Sequence, residues 1–509
     1  MSTITASSPT KIPRIVIIGG GITGLAAAHR LVEHASETNR KLDVLLLEAS
    51  SRLGGVLKTE QRDGFLLEAG ADSFISEKPE AIELAKRIGL DSHLIETNKT
   101  QRRSFIVRGG RLRPVPEGFQ LLAPSRFWPF ITTDIFSWTG KARMALDLIV
   151  PRRNETNGAA EESLAQFVRR RLGREAFERM AQPMIGGIYT ADPEKLSLRA
   201  TLPRFLDMER EHRSVILAMW KQRRSSNVTS EGRSSQSGVS GARYSLFLSF
   251  EGGMQMLVDR LAARLPGGVV RLNTAANSVA FDHATKQWEI RLHDSRSISA
   301  DAVCLAVPAF AAAQLLRETD ASLSEGLDRI EYASTATINL AYRRADIPHP
   351  LDGFGFVVPI IEKRSLLACT FSSVKFAGRA PADHILLRAF VGGALQPDLF
   401  ELDEDEMIRR VLADLRDLLG IEKQALFTVT ENWRRSMPQY HVGHLALIQQ
   451  IQDRVRQLSA LHLAGNSYAG AGLPDCIRSG EKAADEILLA LSDPSRTVGD
   501  YGEIPMQPS

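Results

Sequence analysis

Apolar positions along the chain switch between two periods. Ile15 to Ile18 is an unbroken apolar run, as a strand covered on both faces requires, and it passes through Gly19, Gly21 and Gly24 into an Ala/Leu-rich stretch at helical spacing. Val44 to Leu47 repeats the strand signal. Pro79 to Gly89 has helical spacing closed by a glycine, and Ser104 to Pro116 reads as a hairpin turning at Gly109-Gly110. From Glu117 to Leu206 helices dominate, with Pro183 expected to stop one of them and Gly186-Gly187 to impose a turn. Lys221 to Gly241 is serine-rich, basic and nearly devoid of apolar residues, the composition of an exposed mobile loop. Order returns with a strand at Phe247 to Phe250, a helix at Met254 to Leu265, and β segments at Val269 to Leu272, Ser278 to Phe281 and Ala302 to Pro308. Ile330 to Leu419 alternates β runs with turns and closes on a helix from Asp403. Phe427 to Trp433 and Leu461 to Ala464 are then strands, and Asp475 to Leu488 is a helix.

Strand, glycine turn and helix in that order predict a dinucleotide site. Gly19 takes the tight turn, Gly21 lets a pyrophosphate meet the backbone, Gly24 lets the helix lie close to the sheet, and the free N–H groups of the first helical turn face the anion. Glu48, at the end of the next strand, stands where a carboxylate accepts the ribose hydroxyls. Arg52 and the pair Gly54-Gly55 follow directly, and an NAD-binding unit has no need of a second glycine turn there.

Composition narrows the class. A chain of 509 residues, 43% hydrophobic and 24% charged, has room for two or three domains, and a net charge of +3 does not argue for nucleic acid. Three widely spaced cysteines, Cys304, Cys369 and Cys476, lack metal-type spacing and read as free thiols in a reducing compartment. No run of 18 apolar residues occurs and the N-terminus lacks a signal-peptide core, which points to a cytoplasmic protein. The aromatic and basic stretch Arg126 to Trp138 is expected as core of a small helical domain, with peripheral contact to the inner face of the cell membrane as the alternative. His441 and His444 have no nearby cysteine or carboxylate ligands in the sequence, so no metal site is expected.

The segment Ser50 to Glu60 resembles the second phosphate-contact motif of flavoproteins of the amine oxidase type, and Asp63 to Phe74 also fits that family. Three further blocks resemble one of its branches, the oxygen-dependent porphyrinogen oxidases. They are Gly187 to Ser197 (G-x-Y-x-x-D-P-x-x-L-S, with Thr190-Ala191 where Ala-Gly is common), Ser372 to Pro381 and Trp433 to His444. The resemblance implies an α/β fold: a Rossmann-type FAD-binding domain built from discontinuous segments, with a mixed α+β substrate domain and a small helical domain. It divides the chain into FAD-binding segments 11–95, 245–320 and 426–495, a substrate-domain hairpin 96–116, a helical domain 117–210, a flexible loop 221–241 and a substrate-binding domain 321–425.

By the same resemblance one non-covalent FAD is held along Gly19, Gly21, Gly24, Glu48, Arg52, Gly54, Gly55 and Gly70, by the backbone of Val279, by Trp433, and by Gly465, Asn466, Gly472, Leu473 and Asp475. Asn466 stands where many flavoproteins carry an acid. No side chain is required as general base. Hydride passes to the flavin, and O2 takes up the electrons as hydrogen peroxide in three two-electron rounds. A tetrapyrrole would be sandwiched by residues drawn from Gly187, Phe354, Leu367, Phe371 and Phe390, with product passing to ferrochelatase. Its propionates would meet Lys78, with Arg379 or Lys375, because Asp91 stands where the plant enzyme has arginine; this favours coproporphyrinogen III over protoporphyrinogen IX. A flavin amine oxidase or phytoene-desaturase-like enzyme would lack the Ser372 to Pro381 and Met437 to His444 blocks. An NAD-dependent dehydrogenase fails on Arg52 to Gly55, and a non-catalytic FAD protein would release no peroxide. The oligomeric state stays open.

Overall fold

The computed structural model describes residues 11–120, 123–153, 161–228 and 247–492. Its centre is a five-stranded parallel sheet in the order 270–271, 43–47, 14–18, 302–305, 461–463. The strands are apolar throughout because both faces are covered. Ile15 and Ile17 pack under the helices Ile22–Glu37 and Leu473–Ser492, while Val16 and Ile18 face a second cluster with Trp288, Ile290 and Leu316. The two helices touch so closely that a Cβ on Gly480 would overlap the Thr23 carbonyl. Ser278 to Phe281 lies in a separate antiparallel meander, 276–282 with 287–292 and 297–300, and Phe247–Phe250 pairs with Phe74–Ile75 and Leu94–Glu96 rather than with the central sheet.

A seven-stranded sheet forms the second layer, in the order 427–438, 332–343, 384–392, 368–371, 355–357, 105–108, 111–114. Its alternation is two-sided. Ile338, Leu340, Leu387, Ala389, Phe356, Cys369 and Phe371 pack with the helix Glu404–Leu419. Thr337, Asn339 and Arg388, one position out of step, point the other way, toward the Glu68 to Gly70 segment.

The helical unit, which packs on Ile106 and Val357 of the seven-stranded sheet, is tied by a charge pair with no solvent exposure on either side. Arg171 Nε donates to Asp147 at 2.6 Å, and Asp147 also accepts from Ser214 Oγ at 2.6 Å and from the Ile216 amide at 3.1 Å. Arg171 further bonds the carbonyls of Asp147 and Val150, at 2.9 and 3.0 Å. The adjoining helix Trp138–Ala145 turns Lys141 inward, buried on the carbonyls of Ile131 and Thr133, whereas Trp138, and Leu146, Leu148 and Ile149 beyond the helix, are exposed. The aromatic stretch is therefore divided, Phe130 and Phe136 in the core, Phe127, Trp128 and Trp138 outside it. Among the described residues no helix is long and apolar enough to cross a membrane.

Two expectations change. Pro183 does not end a helix: Arg174–Ala176, a π turn at Phe177–Ala181 and Gln182–Tyr189 follow one another without a break, with Gly186 and Gly187 inside the last of them. The wider π turn takes up the missing proline N–H and the ring's clash with the preceding turn, and the run ends at Thr190 with φ +49°. The expected loop from Lys221 begins as helix, since Val215–Val228 continues past it; residues 229–246 lie outside the described residues.

Candidate functional site

Three parallel strands end side by side at Ile18, Leu305 and Leu463, and each runs into a glycine or alanine turn. Ala306 N bonds the Ile18 carbonyl and Ala464 N the Leu305 carbonyl, both at backbone distance (2.8 and 3.0 Å). A crevice outside the carboxyl ends of parallel strands is where an open α/β sheet takes ligands. Gly19 has φ +111°, and a Cβ there would collide with the Ala306 carbonyl; a Cβ on Gly24 would overlap the Gly19 carbonyl. Gly21 and Gly465 are different, with no atom within 4 Å of where a Cβ would stand. The helix starting at Ile22 has no side-chain cap and no acid in its first turn, so its positive end is left for an external anion.

The second glycine turn docks on the first. Gly54 N donates to the Gly20 carbonyl at 2.8 Å, and Gly21 and Gly54 form a parallel bridge. Arg52 holds this turn in shape by bonding the carbonyls of Leu53, Leu57 and Gly55. Glu48 accepts from Gly20 N at 2.7 Å and from Ser50 N at 2.8 Å, and its own carbonyl receives Thr274 N, which brings the chain toward Val279. Val279 is fully buried, its carbonyl taken by Thr319 Oγ1. Across the crevice Trp433 Nε1 donates to the Ala69 carbonyl at 2.9 Å beside Gly70, and Tyr440 bonds the Asn466 carbonyl. Glycine turns, an uncapped helix start and an acid at the neighbouring strand end thus share one edge. This arrangement fits an extended dinucleotide such as FAD.

The charged residues expected on the substrate side are already engaged. Lys78 Nζ is 2.7 Å from both oxygens of Asp475. Asp475, a residue expected at the cofactor, is 4% exposed, its side chain shared between Lys78 and Arg478 and its carboxyl tucked under Gly470 and Gly472. Leu473, also expected at the cofactor, is buried in the cluster under the central sheet. Lys375 is on Asp72 at 2.8 Å. Arg379 is buried on the carbonyls of Glu251 and Phe250 and on Ser249 Oγ. Phe371 is sheet core, fully buried under the 404–419 helix, and Phe354 is buried beside Gly353 against the Arg103 carbonyl. Gly187, Leu367 and Phe390 remain together: Gly187 packs toward Val357, Leu367 N bonds the Phe390 carbonyl, and Leu367 reaches Gly393 beside Thr190.

Sequence reasoning missed Thr337, Asn339 and Arg388. Their signal was a polar residue at every second position from Thr335 to Asn339 and a lone arginine in LLRAF, on strands otherwise apolar. It also missed Arg204, at the start of the helix Pro203–His212. Its Nε is buried without a hydrogen-bond partner, and no carboxylate lies at ion-pair distance among the described residues. Burial lowers its pKa, against the nearby Glu77 and Tyr189.

Around Glu68 the chain gathers two acids and three cations. Burial pushes the Glu68 carboxyl up to about 7, despite bonds from Met254 N and Thr59 Oγ1. Burial opposes ionisation of Asp72 too, but Lys375 and Arg388 outweigh it and hold that carboxyl well below its usual range. Among the described residues no group of three or more His, Cys, Asp or Glu side chains is placed to hold a metal ion. His444 stacks on Tyr440 with ring centroids 4.3 Å apart, and burial lowers its pKa to about 4. The unfolded chain binds that proton from 6.5 downward, so stability is whole above pH 6.5 and drains as pH falls toward 4. Between pH 7 and 5 the loss is expected to be about 2 kcal/mol. Urea unfolding at the two pH values checks it, and His444→Phe should remove most of the difference.

The model for flavin containing amine oxidoreductases matches residues 22–488. A coproporphyrinogen III oxidase of Bacillus subtilis (strain 168) is 34% identical over 94% of this chain and 98% of its own length, and one from Propionibacterium freudenreichii subsp. freudenreichii 35% over 94% and 91%. This chain belongs to the coproporphyrinogen and protoporphyrinogen oxidase family. It is an oxidoreductase of the flavin-dependent amine oxidase superfamily. A solved structure from Exiguobacterium sp. 255-15 superposes with a TM-score of 0.81 at 31% identity, covering 94% of this chain and all of that one. The oxidase therefore has the discontinuous Rossmann-type FAD-binding fold expected from its glycine motifs, with mixed α+β and helical parts.

Proposed function

We propose that the oxidase holds one FAD non-covalently along the crevice from Glu48 to Gly70 and dehydrogenates a porphyrinogen there, coproporphyrinogen III in preference to protoporphyrinogen IX, with O2 as electron acceptor. The observation that carries the cofactor reading is the docking of the Gly54 turn on Gly21, with open space over Gly21 and an uncapped helix behind it. The choice of substrate rests on the coproporphyrinogen III oxidases that resemble the chain over nearly all of its length. When bound, FAD supplies hydride acceptance and reoxidation by O2.

The protein's own part is positioning. The main-chain N–H groups after Gly21 meet pyrophosphate, and Glu48, which accepts Gly20 N, Ser50 N and Ser50 Oγ, keeps a lone pair on Oε2 for a ribose hydroxyl. Gly187, Leu367 and Phe390 give the macrocycle an apolar wall and exclude water from the reacting carbon. With Lys78, Lys375 and Arg379 engaged within the protein, Arg204 takes a propionate.

Oxygen uptake with each porphyrinogen tests this. Coproporphyrinogen III should be converted with about three O2 consumed and three H2O2 formed per porphyrin, as loss of six hydrogens in two-electron rounds requires. Arg204→Gln should raise KM roughly three- to tenfold with little change in kcat, the effect of a remote charge contact. No turnover of either porphyrinogen by flavin-loaded protein overturns the activity, and a higher kcat/KM for protoporphyrinogen IX reverses the choice of substrate. An unchanged KM removes Arg204.

A further inference from the structure

One carbonyl in this molecule is asked to accept more than its share. The oxygen of Ala69 receives Thr337 Oγ1 at 2.7 Å, Trp433 Nε1 at 2.9 Å and a guanidinium N–H of Arg388 at 3.2 Å, from three neighbouring strands of the seven-stranded sheet. Arg388 also bonds the Gly70 carbonyl. A carbonyl offers two lone pairs, so three donors, one of them charged, draw its electron density strongly toward oxygen. The peptide is conjugated, and what leaves the nitrogen makes the N–H on its other side a better donor.

That N–H belongs to Gly70, and it donates to no described atom of the protein. Gly70 is partly exposed, and its place leaves no room for a side chain: a Cβ would overlap the Val56 carbonyl and touch the Trp433 ring. The preceding amide, Ala69 N, is bound to the Lys58 carbonyl at 2.9 Å, and Asn339 holds the Glu68 carbonyl at 3.1 Å. The peptide is therefore fixed on every side but one, and the open side carries its polarised donor.

We propose that Thr337, Trp433 and Arg388 act together as a carbonyl clamp that turns the Gly70 amide into a fixed, strengthened hydrogen-bond donor to the flavin ring, raising the flavin's two-electron reduction potential. The proposal rests on the reading that FAD lies beside Gly70. A donor held in place favours the electron-rich reduced ring over the oxidised one, with no reorganisation at the moment of transfer. The three clamp residues are positioning residues, acting through the peptide and not by touching reactants.

Thr337→Val deletes one donor while keeping shape, and Trp433→Phe deletes another while keeping an aromatic ring. Thr430→Val, on the edge strand, is the control, because the Thr430 hydroxyl is buried without a hydrogen bond. The flavin midpoint is read by equilibration with a reference dye during slow reduction. In the flavin-loaded fraction, each clamp variant should lower the equilibrium constant for reduction about three- to tenfold, which for a two-electron couple is a shift of about 15 to 30 mV to more negative potential. The control should not move. Unchanged midpoints in both clamp variants overturn the proposal, as does an equal shift in the control. Two variants are used so that one failing to fold leaves the other to decide. Wild-type protein that holds no FAD would instead sink the cofactor reading itself.

Discussion

Gly21→Val is expected to fold normally and to lose its flavin. Nothing in the protein stands within 4 Å of the added Cβ, so the fold has no reason to resist the change. The same space is where the helix Ile22–Glu37 presents its uncapped end, and a branched side chain there holds a pyrophosphate away from those N–H groups. Losing that approach should weaken FAD binding by about 3 kcal/mol or more, roughly a hundredfold. Gly24→Val is the contrast, because its Cβ would overlap the Gly19 carbonyl and the helix could no longer seat on the sheet. Circular dichroism and flavin absorbance of the two purified variants separate the outcomes. Full flavin occupancy in Gly21→Val would refute the strand, turn and helix as the pyrophosphate site.

Asp147→Ala should cost about 3–5 kcal/mol of stability, seen as a lower urea midpoint with an unchanged slope. The cost comes less from the lost attraction than from what stays behind. Arg171 has no exposure, and without Asp147 its charge keeps backbone carbonyls and only a long contact, 3.5 Å, to the Glu209 carboxylate. Ser214 and the Ile216 amide lose their acceptor in the same step, at the entry to the helix Val215–Val228. Replacing both members, Asp147→Leu with Arg171→Met, should recover a large part of the loss, since an apolar pair needs no ionic partner.

What could be read from the sequence was local. Ile15 to Gly24 and Arg52 to Gly55 are short signals whose chemistry is contained in consecutive residues, and the strand, turn and helix of the first lie bridged to the glycine turn of the second. The charges were illegible for the opposite reason. Lys78 finds Asp475 almost four hundred residues away in the chain, and no local pattern announces such a pair. Phe371 and Phe390 look alike in sequence; strand alternation assigns them to opposite faces only once the 404–419 helix is known to cover one of them. Pro183 misled because the rule that proline breaks helices has a structural exception, the π turn just before it. Thr337 and Arg388 were legible in principle, as isolated polar residues in apolar strands, but their meaning lies in a carbonyl on another element.

The order of the central sheet also dictates how this protein is made. Arg14–Ile18 can pair with Asp43–Leu47 soon after leaving the ribosome, but its other neighbour is Ala302–Leu305 and the strand beyond that is Leu461–Leu463. The helix that covers Ile22–Glu37, Leu473–Ser492, is synthesised later still. At ordinary rates of translation, about 5–20 residues per second, the nascent chain carries Ile15 to Ile18 incompletely covered for roughly 20 to 90 s. Such long-range closure is slow and exposes apolar edges to other chains, so expression yield should depend on chaperone supply and on an intact C-terminus more than on the stability of the finished fold.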